Sequence, residues 1–424
     1  MTQLSDDLIT IGQQARAAAR KLAKLSTDVK NAALLNIADA LAARQEEILQ
    51  ANKDDYEASK KNGISDILLD RLLLDPKRLA DMASDVRAVA ALRDPVGEQF
   101  DVRTLPNGLI LGRRRVPLGV IGAIYESRPN VTVDIACLCL KSGNAVILRG
   151  GREAIHSNTA LARLVRDALS EAGLPGDSVQ FIDNTDRALV GQMLSMKEYI
   201  DLLIPRGGAD LIRRVAEEAS MPAVTGGIGV CHTYVDKGAD LTKAVDIAYN
   251  AKVQRPSVCN ALDTLLVHTE AAADYLPLIA RAWLDADVEI HADDSAMSIL
   301  APLEEHRILP AVEDDWGREF LSLTAAVKVV DSLDGALEHI ERYGSGHSEA
   351  ILTEDYTAAM RFLDDVDAAV VLVNASTRFT DGAVFGLGAE VAISTNKMHA
   401  RGPMGLRELT SYKWTVLGSG QVRP

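Results

Sequence analysis

Cys259 is the residue in this sequence best placed to act as a nucleophile. It stands in Gln254-Arg255-Pro256-Ser257-Val258-Cys259-Asn260, a short polar segment, broken by proline, between an expected helix and an expected strand. Loops held by rigid elements are where catalytic groups concentrate. A thiolate there is a strong nucleophile, and the nearby cation of Arg255 would favour it over the thiol. A small buried filler fits the same context, so the segment alone leaves both readings open. Cys137 and Cys139 differ, because they lie in the apolar run 135–140, where nothing would ionise a thiol. They read as core, and Cys231, after a glycine-rich turn, reads as structural too.

Two glycine-rich junctions come next, Leu148-Arg149-Gly150-Gly151-Arg152 and Ile204-Pro205-Arg206-Gly207-Gly208. Each ends an expected strand and opens an expected helix, a place where a phosphate can approach main-chain N–H groups. Neither is GxGxxG, and a plain tight turn explains each equally well. Arg149 and Arg152 flank the first junction, with no acid before Glu153. A free ribose 2′-hydroxyl usually meets a carboxylate, whereas a 2′-phosphate calls for a cation. A dinucleotide bound here would therefore be NADP rather than NAD; two solvated surface arginines are the other reading. The hydroxyl- and glycine-rich stretch 374–388 follows an apolar strand, where open α/β sheets bind ligands. It is long for a mere connection.

The elements that must position these residues show a clear rhythm. Residues 1–95 read as helical: Leu34, Ile37, Leu41 and Ile48 recur at spacings of 3, 4 and 7, which puts them on one face of a long helix. Residues 98–103 and 109–116 read as a hairpin around Pro106-Asn107-Gly108. It carries Arg113, Arg114 and Arg115 but little to bury, and a hairpin alone is marginal in water, so it is expected to lean on another subunit. A buried strand is expected over 116–125, a helix from about Val131 to Ser142-Gly143, a strand at 145–148 and a helix over 153–172. Strands at 178–182 and 200–204 continue this βαβ alternation. After residue 230 it restarts, with strands at 232–235, 262–267, 326–330 and 368–373 and helices at 240–251, 270–286, 333–342 and 356–365. The tail 409–418 is extended and could pair with the early hairpin.

Composition agrees with helices on buried parallel strands. Of 424 residues, 47% are hydrophobic and only 4% aromatic, so Ala, Leu and Val fill more than one core. The net charge of −15, from 60 acidic and 45 basic side chains, disfavours nucleic acid and anionic membranes. Four cysteines without a CxxC pair suggest neither a disulfide scaffold nor zinc. Neither a secretory signal nor a run of about 18 apolar residues is seen, and the expected location is cytoplasmic.

Longer strings resemble the aldehyde dehydrogenase superfamily over nearly the whole chain. Val116-Pro117-Leu118-Gly119-Val120 followed by Pro129-Asn130 is similar to the family's P-x-G-V strand and oxyanion asparagine. Gly143-Asn144-Ala145-Val146-Ile147-Leu148-Arg149 resembles the stretch whose basic residue binds the adenosine ribose. Glu319-Phe320 resembles the acidic-aromatic element at the nicotinamide ribose, and Cys259 falls where the family keeps its nucleophile. The strings at 225–236, 254–260, 374–382, 385–395 and 399–406 resemble the branch that reduces a glutamyl phosphate. Oxidising members activate water with a glutamate in E-L-G-G; here Val224-Thr225-Gly226-Gly227 has none, which suits a reductase.

The resemblance implies NADPH-dependent reduction of L-glutamyl 5-phosphate to glutamate 5-semialdehyde through a Cys259 thioester, the second step of proline biosynthesis. It implies catalytic Cys259 and Asn130, and cofactor contacts at Arg149, Gly150, Gly151, Arg152, Gly207, Gly208, Glu319 and Phe320. The substrate carboxylate and phosphate both want bidentate donors, for which Arg128, Arg255 and Arg378 are candidates, with Ser376 and Thr377 as hydroxyl donors. The expected architecture is an open-sheet cofactor domain (1–96 and 117–229), an α/β catalytic domain (230–404) and a small β oligomerisation element (97–116 and 405–424). A homo-oligomer follows. The substrate's α-amine can close on its activated carbonyl, so hand-over from glutamate 5-kinase in a transient complex is a further expectation. Two rivals stay open: a coenzyme A-acylating dehydrogenase, and a non-catalytic protein that keeps the fold.

Overall fold

A computed structural model describes residues 4–224, 226 and 228–423. By its internal contacts the chain divides into two compact units, Met1–Thr225 with Leu387–Ala392 and Met404–Pro424, and Gly226–Gly386 with Ile393–Pro403.

The first unit opens with α1 (Asp6–Leu22), α2 (Thr27–Ala43), α3 (Gln45–Lys61), α4 (Asp66–Leu72) and α5 (Pro76–Ala91). Ser5 and Ser26 cap the first two helices by accepting from Leu8 N and Val29 N, and Asp75 caps α5 ahead of Pro76, as short polar side chains do at N-termini. Leu34, Ile37 and Leu41 are fully buried together on α2. Ile48 is buried too, but on α3. The single long helix expected from the spacing is interrupted at Arg44, whose backbone (φ −103, ψ 23) leaves the helical region. There its guanidinium bonds Glu47 at 2.8 Å and Asp167 at 2.8 Å.

Strands β1 (Gln99–Thr104) and β2 (Ile110–Pro117) form the hairpin, and β3 (Val120–Tyr125), β4 (Ala145–Arg149), β5 (Val179–Phe181) and β6 (Leu202–Arg206) form a parallel sheet in the order β5-β4-β3-β6. The order reverses at β3, the switch point beside which open sheets bind ligands. Helices α6 (Asn130–Lys141), α7 (Ile155–Glu171), α8 (Ala188–Met193) and α9 (Ala209–Glu218) alternate with these strands. Both β3 and β4 are buried throughout, which accounts for their unbroken apolar runs.

The strand expected over 116–125 is two strands. Gly119 takes φ +131, and a Cβ there would collide with the Asp201 carboxylate, which accepts Val120 N at 2.8 Å. Val116 and Pro117 pair instead with Ser411 and Thr410 of the tail strand, Thr410–Leu417. That tail completes a three-stranded antiparallel sheet with the hairpin. Arg113 lies over the rings of Tyr412 and Trp414 at 4.7 and 4.5 Å. The hairpin thus leans first on its own chain.

The second unit carries β7 (Cys231–Val235), β8 (Leu262–His268), β9 (Glu289–Ala292), β10 (Ile308–Pro310), β11 (Thr324–Val330), β12 (Ser348–Leu352) and β13 (Val370–Val373). Among the described residues they form one seven-stranded parallel sheet, in the order β10-β9-β11-β8-β7-β12-β13. Helices α10 (Leu241–Val253), α11 (Thr269–Asp285), α12 (Asp294–Leu300), α13 (Leu333–Tyr343) and α14 (Tyr356–Asp365) connect them. Trp283, Tyr275 and Leu265 lie in its main core. Strands β9, β10 and β12 are not evident from the sequence; β12 begins Ser348-Glu349, polar residues that are nonetheless buried. Among the described residues no helix is long and apolar enough to cross a membrane.

Asn144 ties the start of β3 to the approach of the tail strand. Its side chain accepts Gly119 N at 2.8 Å and donates to Leu409 O at 2.8 Å, wholly buried. Asn144→Ala leaves both main-chain groups without a partner and is expected to lower the unfolding free energy by roughly 2–5 kcal/mol. Urea denaturation reads this directly, and a loss under about 0.5 kcal/mol, the scale of a surface change, would show that these bonds contribute little.

Candidate active site

The second unit builds a rigid platform under Cys259. Helix α10 ends at Gln254, because Pro256 disfavours a helical Arg255, and the chain runs through Cys259 into β8. Buried side chains then grip the main chain on either side of the sulfur. Burial drives the Cys231 thiol well above its ordinary pKa, so it stays protonated and donates to the carbonyl of Cys259 at 3.2 Å. The Thr377 hydroxyl donates to the carbonyl of Asn260 at 2.7 Å. Asn260 in turn donates to the carbonyl of Thr380 at 2.8 Å and accepts from the Arg378 guanidinium. Ser348 donates to the Thr380 hydroxyl at 2.9 Å and meets His347 Nδ1 at 2.8 Å. Burial holds His347 neutral, with its pKa lowered to about 4. Gly229 completes the platform, since a Cβ there would overlap the carbonyl oxygen of Cys259.

Cys259 itself is half-buried. The Arg378 charge is coupled to Arg255 and to Cys259, and burial followed by the like charge of Arg255 lowers its pKa. Arg378 Nε also donates to Gln254 at 2.9 Å, whereas Arg255 is exposed. The structure therefore brings Cys259, Arg255 and Arg378 together. Ser376 is buried and accepts Arg378 N at 3.3 Å. The Thr377 hydroxyl is committed to Asn260, so the part it plays in this structure is to hold the nucleophile loop.

Glu319 accepts Gly229 N at 3.0 Å, which links it to the same loop. Burial raises its pKa to about 7, and the Gly229 N–H opposes that rise. Phe320 N donates to Asp263 at 3.1 Å. Asp263 is paired at 3.7 Å with the buried Lys252, whose ammonium lies 5.7 Å from the Phe320 ring centre.

In the first unit, Arg128 is half-buried just before α6, and Asn130 opens that helix. Asn130 Nδ2 donates to Asp134 at 2.8 Å. A primary amide has two hydrogens, so a second can serve a ligand. The two glycine-rich junctions end β4 and β6. Arg149, Gly151 and Arg152 of the first junction and Asp210, Leu211 and Arg214 of α9 line one cavity of about 1150 Å³. At the second junction Gly208 N donates to the Glu126 carboxylate at 2.9 Å, an anion at the mouth of α9 where helix N-termini favour negative charge. Gly207 packs against the same carboxylate and Gly150 against Asn158, in both cases closer than a Cβ would allow. Arg149 is buried, and its Nε has no partner. A buried guanidinium whose Nε has no hydrogen-bond partner, beside a roomy cavity, fits a phosphorylated nucleotide.

Sequence reasoning missed Cys231, Asn260 and Gly229 as parts of the nucleophile platform. Nothing in their spacing announces contacts across more than 25 residues; only the glycine-rich character of the segment before β7 hints at close approach. Thr225 and Gly227, read in the sequence as part of the segment lacking a water-activating glutamate, lie outside the described residues.

Known proteins resemble this chain over most or all of its length. A model of the aldehyde dehydrogenase family matches residues 4–305. The gamma-glutamyl phosphate reductase of Dehalococcoides mccartyi strain CBDB1 is 62% identical over 409 residues, spanning 96% of this chain and 96% of that protein. The one from Roseiflexus castenholzii is 57% identical over 427 residues, spanning 100% of each. The crystal structure of the gamma-glutamyl phosphate reductase from Thermotoga maritima has a TM-score of 0.96 at 48% identity, covering 99% of this chain and 100% of that one.

The partner of Asn130 carries a measurable consequence. Burial raises the Asp134 carboxyl from its ordinary 3.8 to about 7. The folded chain therefore binds more protons than the unfolded one between these values, and stability falls as pH rises through that window. Asp134→Asn keeps an acceptor for Asn130 and removes the charge. It is expected to gain roughly 2–4 kcal/mol relative to wild type between pH 4 and pH 8. Parallel urea titration curves for the two proteins across that range would disprove the raised carboxyl.

Proposed function

The chain belongs to the aldehyde dehydrogenase family, among the gamma-glutamyl phosphate reductases, and we propose on that premise that it reduces L-glutamyl 5-phosphate to L-glutamate 5-semialdehyde, releasing phosphate, with NADPH as reductant. One observation carries the reading: Cys259 sits on a platform of buried hydrogen bonds, with Arg255 and Arg378 beside it.

The Cys259 thiolate attacks the γ-carbonyl carbon, forming a C–S bond as the C–O bond to phosphate breaks. Arg255 and Arg378 supply the positive charge that a phosphate or carboxylate requires, and arginine can bind either in bidentate fashion. Ser376 and Thr377 hold Arg378 and the loop in register. Asn130 offers its second amide hydrogen to the developing oxyanion, the role the family assigns it; such donors act because they are aimed before charge appears. NADPH, when bound, supplies the hydride that reduces the thioester, after which the Cys259 sulfur departs as thiolate and frees the aldehyde. Arg149, Gly150, Gly151, Arg152, Gly207 and Gly208 would hold the adenosine and phosphate portion, and Glu319 with Phe320 the nicotinamide ribose. No carboxylate occupies the water-activating position in the sequence, which protects a thioester meant for reduction.

The three-stranded sheet exposes Val102, Ile110, Trp414, Val416 and Leu417. That apolar edge supports its assignment to homo-oligomer assembly, and the lability of the substrate supports a transient complex with glutamate 5-kinase.

NADPH formation from glutamate 5-semialdehyde, NADP and phosphate tests the reading. Cys259→Ala should abolish it, while coenzyme A in place of phosphate should not sustain it. Activity that needs coenzyme A would make the chain an acylating dehydrogenase instead. Gly229→Ala, which pushes the loop off its platform, is expected to lower turnover about 100-fold, the cost of misplacing a reacting group by about an ångström. Turnover within a factor of about two, near the noise of such comparisons, would show that the platform is not required.

A further inference from the structure

Four arginines line the cavity of the first unit: Arg214 of α9, which pairs with Glu218 at 3.0 Å, and three more, Arg149 at the end of β4, Arg152 in the turn after it and Arg187 just before α8. Several other arginines are paired, as Arg16 with Asp201 at 2.5 Å, Arg44 with Asp167 at 2.8 Å and Arg115 with Glu98 at 2.8 Å. Among the described residues Arg149, Arg152 and Arg187 form no ion pair and no side-chain hydrogen bond. Arg149 is only 9% exposed, and its Nε is buried with no partner.

The carboxylates on the same wall are engaged elsewhere. Glu153 accepts Ser127 N and Ser127 Oγ, each at 2.7 Å. Asp186 accepts Ala188 N at 2.9 Å, and Asp55 accepts Ser157 N and Oγ at 2.7 and 2.6 Å. Burial lowers the Arg149 pKa most, and the charge of Arg187 lowers it further, against the opposing pull of Glu153. Three cations left facing one another gain most from a compact dianion with several free oxygens.

A dinucleotide offers two kinds of phosphate. Its pyrophosphate suits main-chain N–H groups at a helix mouth. A terminal ribose 2′-phosphate is the dianion that can take several guanidinium forks at once. We infer that Arg187 is the third cation of a 2′-phosphate clamp with Arg149 and Arg152, and that it sets the preference for a 2′-phosphorylated dinucleotide. This rests on the NADP reading above and extends it to a residue that no motif marks.

Calorimetric titration of the whole chain with adenosine 2′,5′-bisphosphate and with 5′-AMP separates the two claims. Wild type should bind the bisphosphate at least about tenfold more tightly, the worth of a charge-assisted contact. Arg187→Ala should cut that ratio about tenfold while leaving the 5′-AMP affinity within about twofold. Arg187→Lys should recover part of the ratio, and Arg166→Ala, which does not line the cavity, should leave it intact. A ratio retained in Arg187→Ala overturns the inference but not the NADP reading. Equal weakening of both nucleotides also overturns it, because a 2′-phosphate contact cannot act on 5′-AMP. A wild type indifferent to the 2′-phosphate overturns both.

Discussion

A polar group taken out of water must find a partner, and this requirement organises both units. Helices and parallel ladders satisfy most of the main chain, but a loop between elements has no such ladder. At Cys259-Asn260 the missing partners are buried side chains: Cys231 for one carbonyl, Thr377 for the next, and Arg378 and the Thr380 carbonyl for the Asn260 amide. The segment that carries Cys259 is therefore as constrained as a strand. The buried Arg149 Nε in the cavity wall is among the few side-chain atoms left without a partner.

The network also explains which groups remain uncharged. A thiol can donate to a carbonyl only while protonated, and burial keeps Cys231 in that state. His347 stays neutral for the same reason, so its contact with Ser348 adds no charge under the platform. Glu349 is buried against His232 at 2.9 Å, and burial raises its pKa. Arg378 interacts electrostatically with Cys259 and with Arg255.

Each unit places its chemistry at the ends of parallel strands. Arg149 ends β4 and Arg206 ends β6, on either side of β3, where the strand order turns. In the second unit Asn374 to Arg378 follow β13, and Thr380 reaches back to Ser348 at the start of β12. These loops can differ from relatives without disturbing the sheets.

What the sequence determined by itself was the alternation of elements, and through its long strings the family. The buried strands β3, β4, β8 and β11 were legible because burial on both faces forces an unbroken apolar run. Residue type and local context marked Cys259 and the arginines at the first junction as candidates only. Tertiary structure alone decided the breaks and the supports. At the Arg44 break the guanidinium meets Asp167, more than 100 residues away, and the break at Gly119 depends on Asp201. Strand β12 hid behind Ser348-Glu349 because their polarity is cancelled by partners from other segments. Cys231, Asn260, Gly229 and Arg187 carry no local signature, because each acts through a neighbour that only folding brings near. Local pattern reports what a segment buries; it does not report which distant atom completes a hydrogen bond or leaves a charge waiting for a ligand.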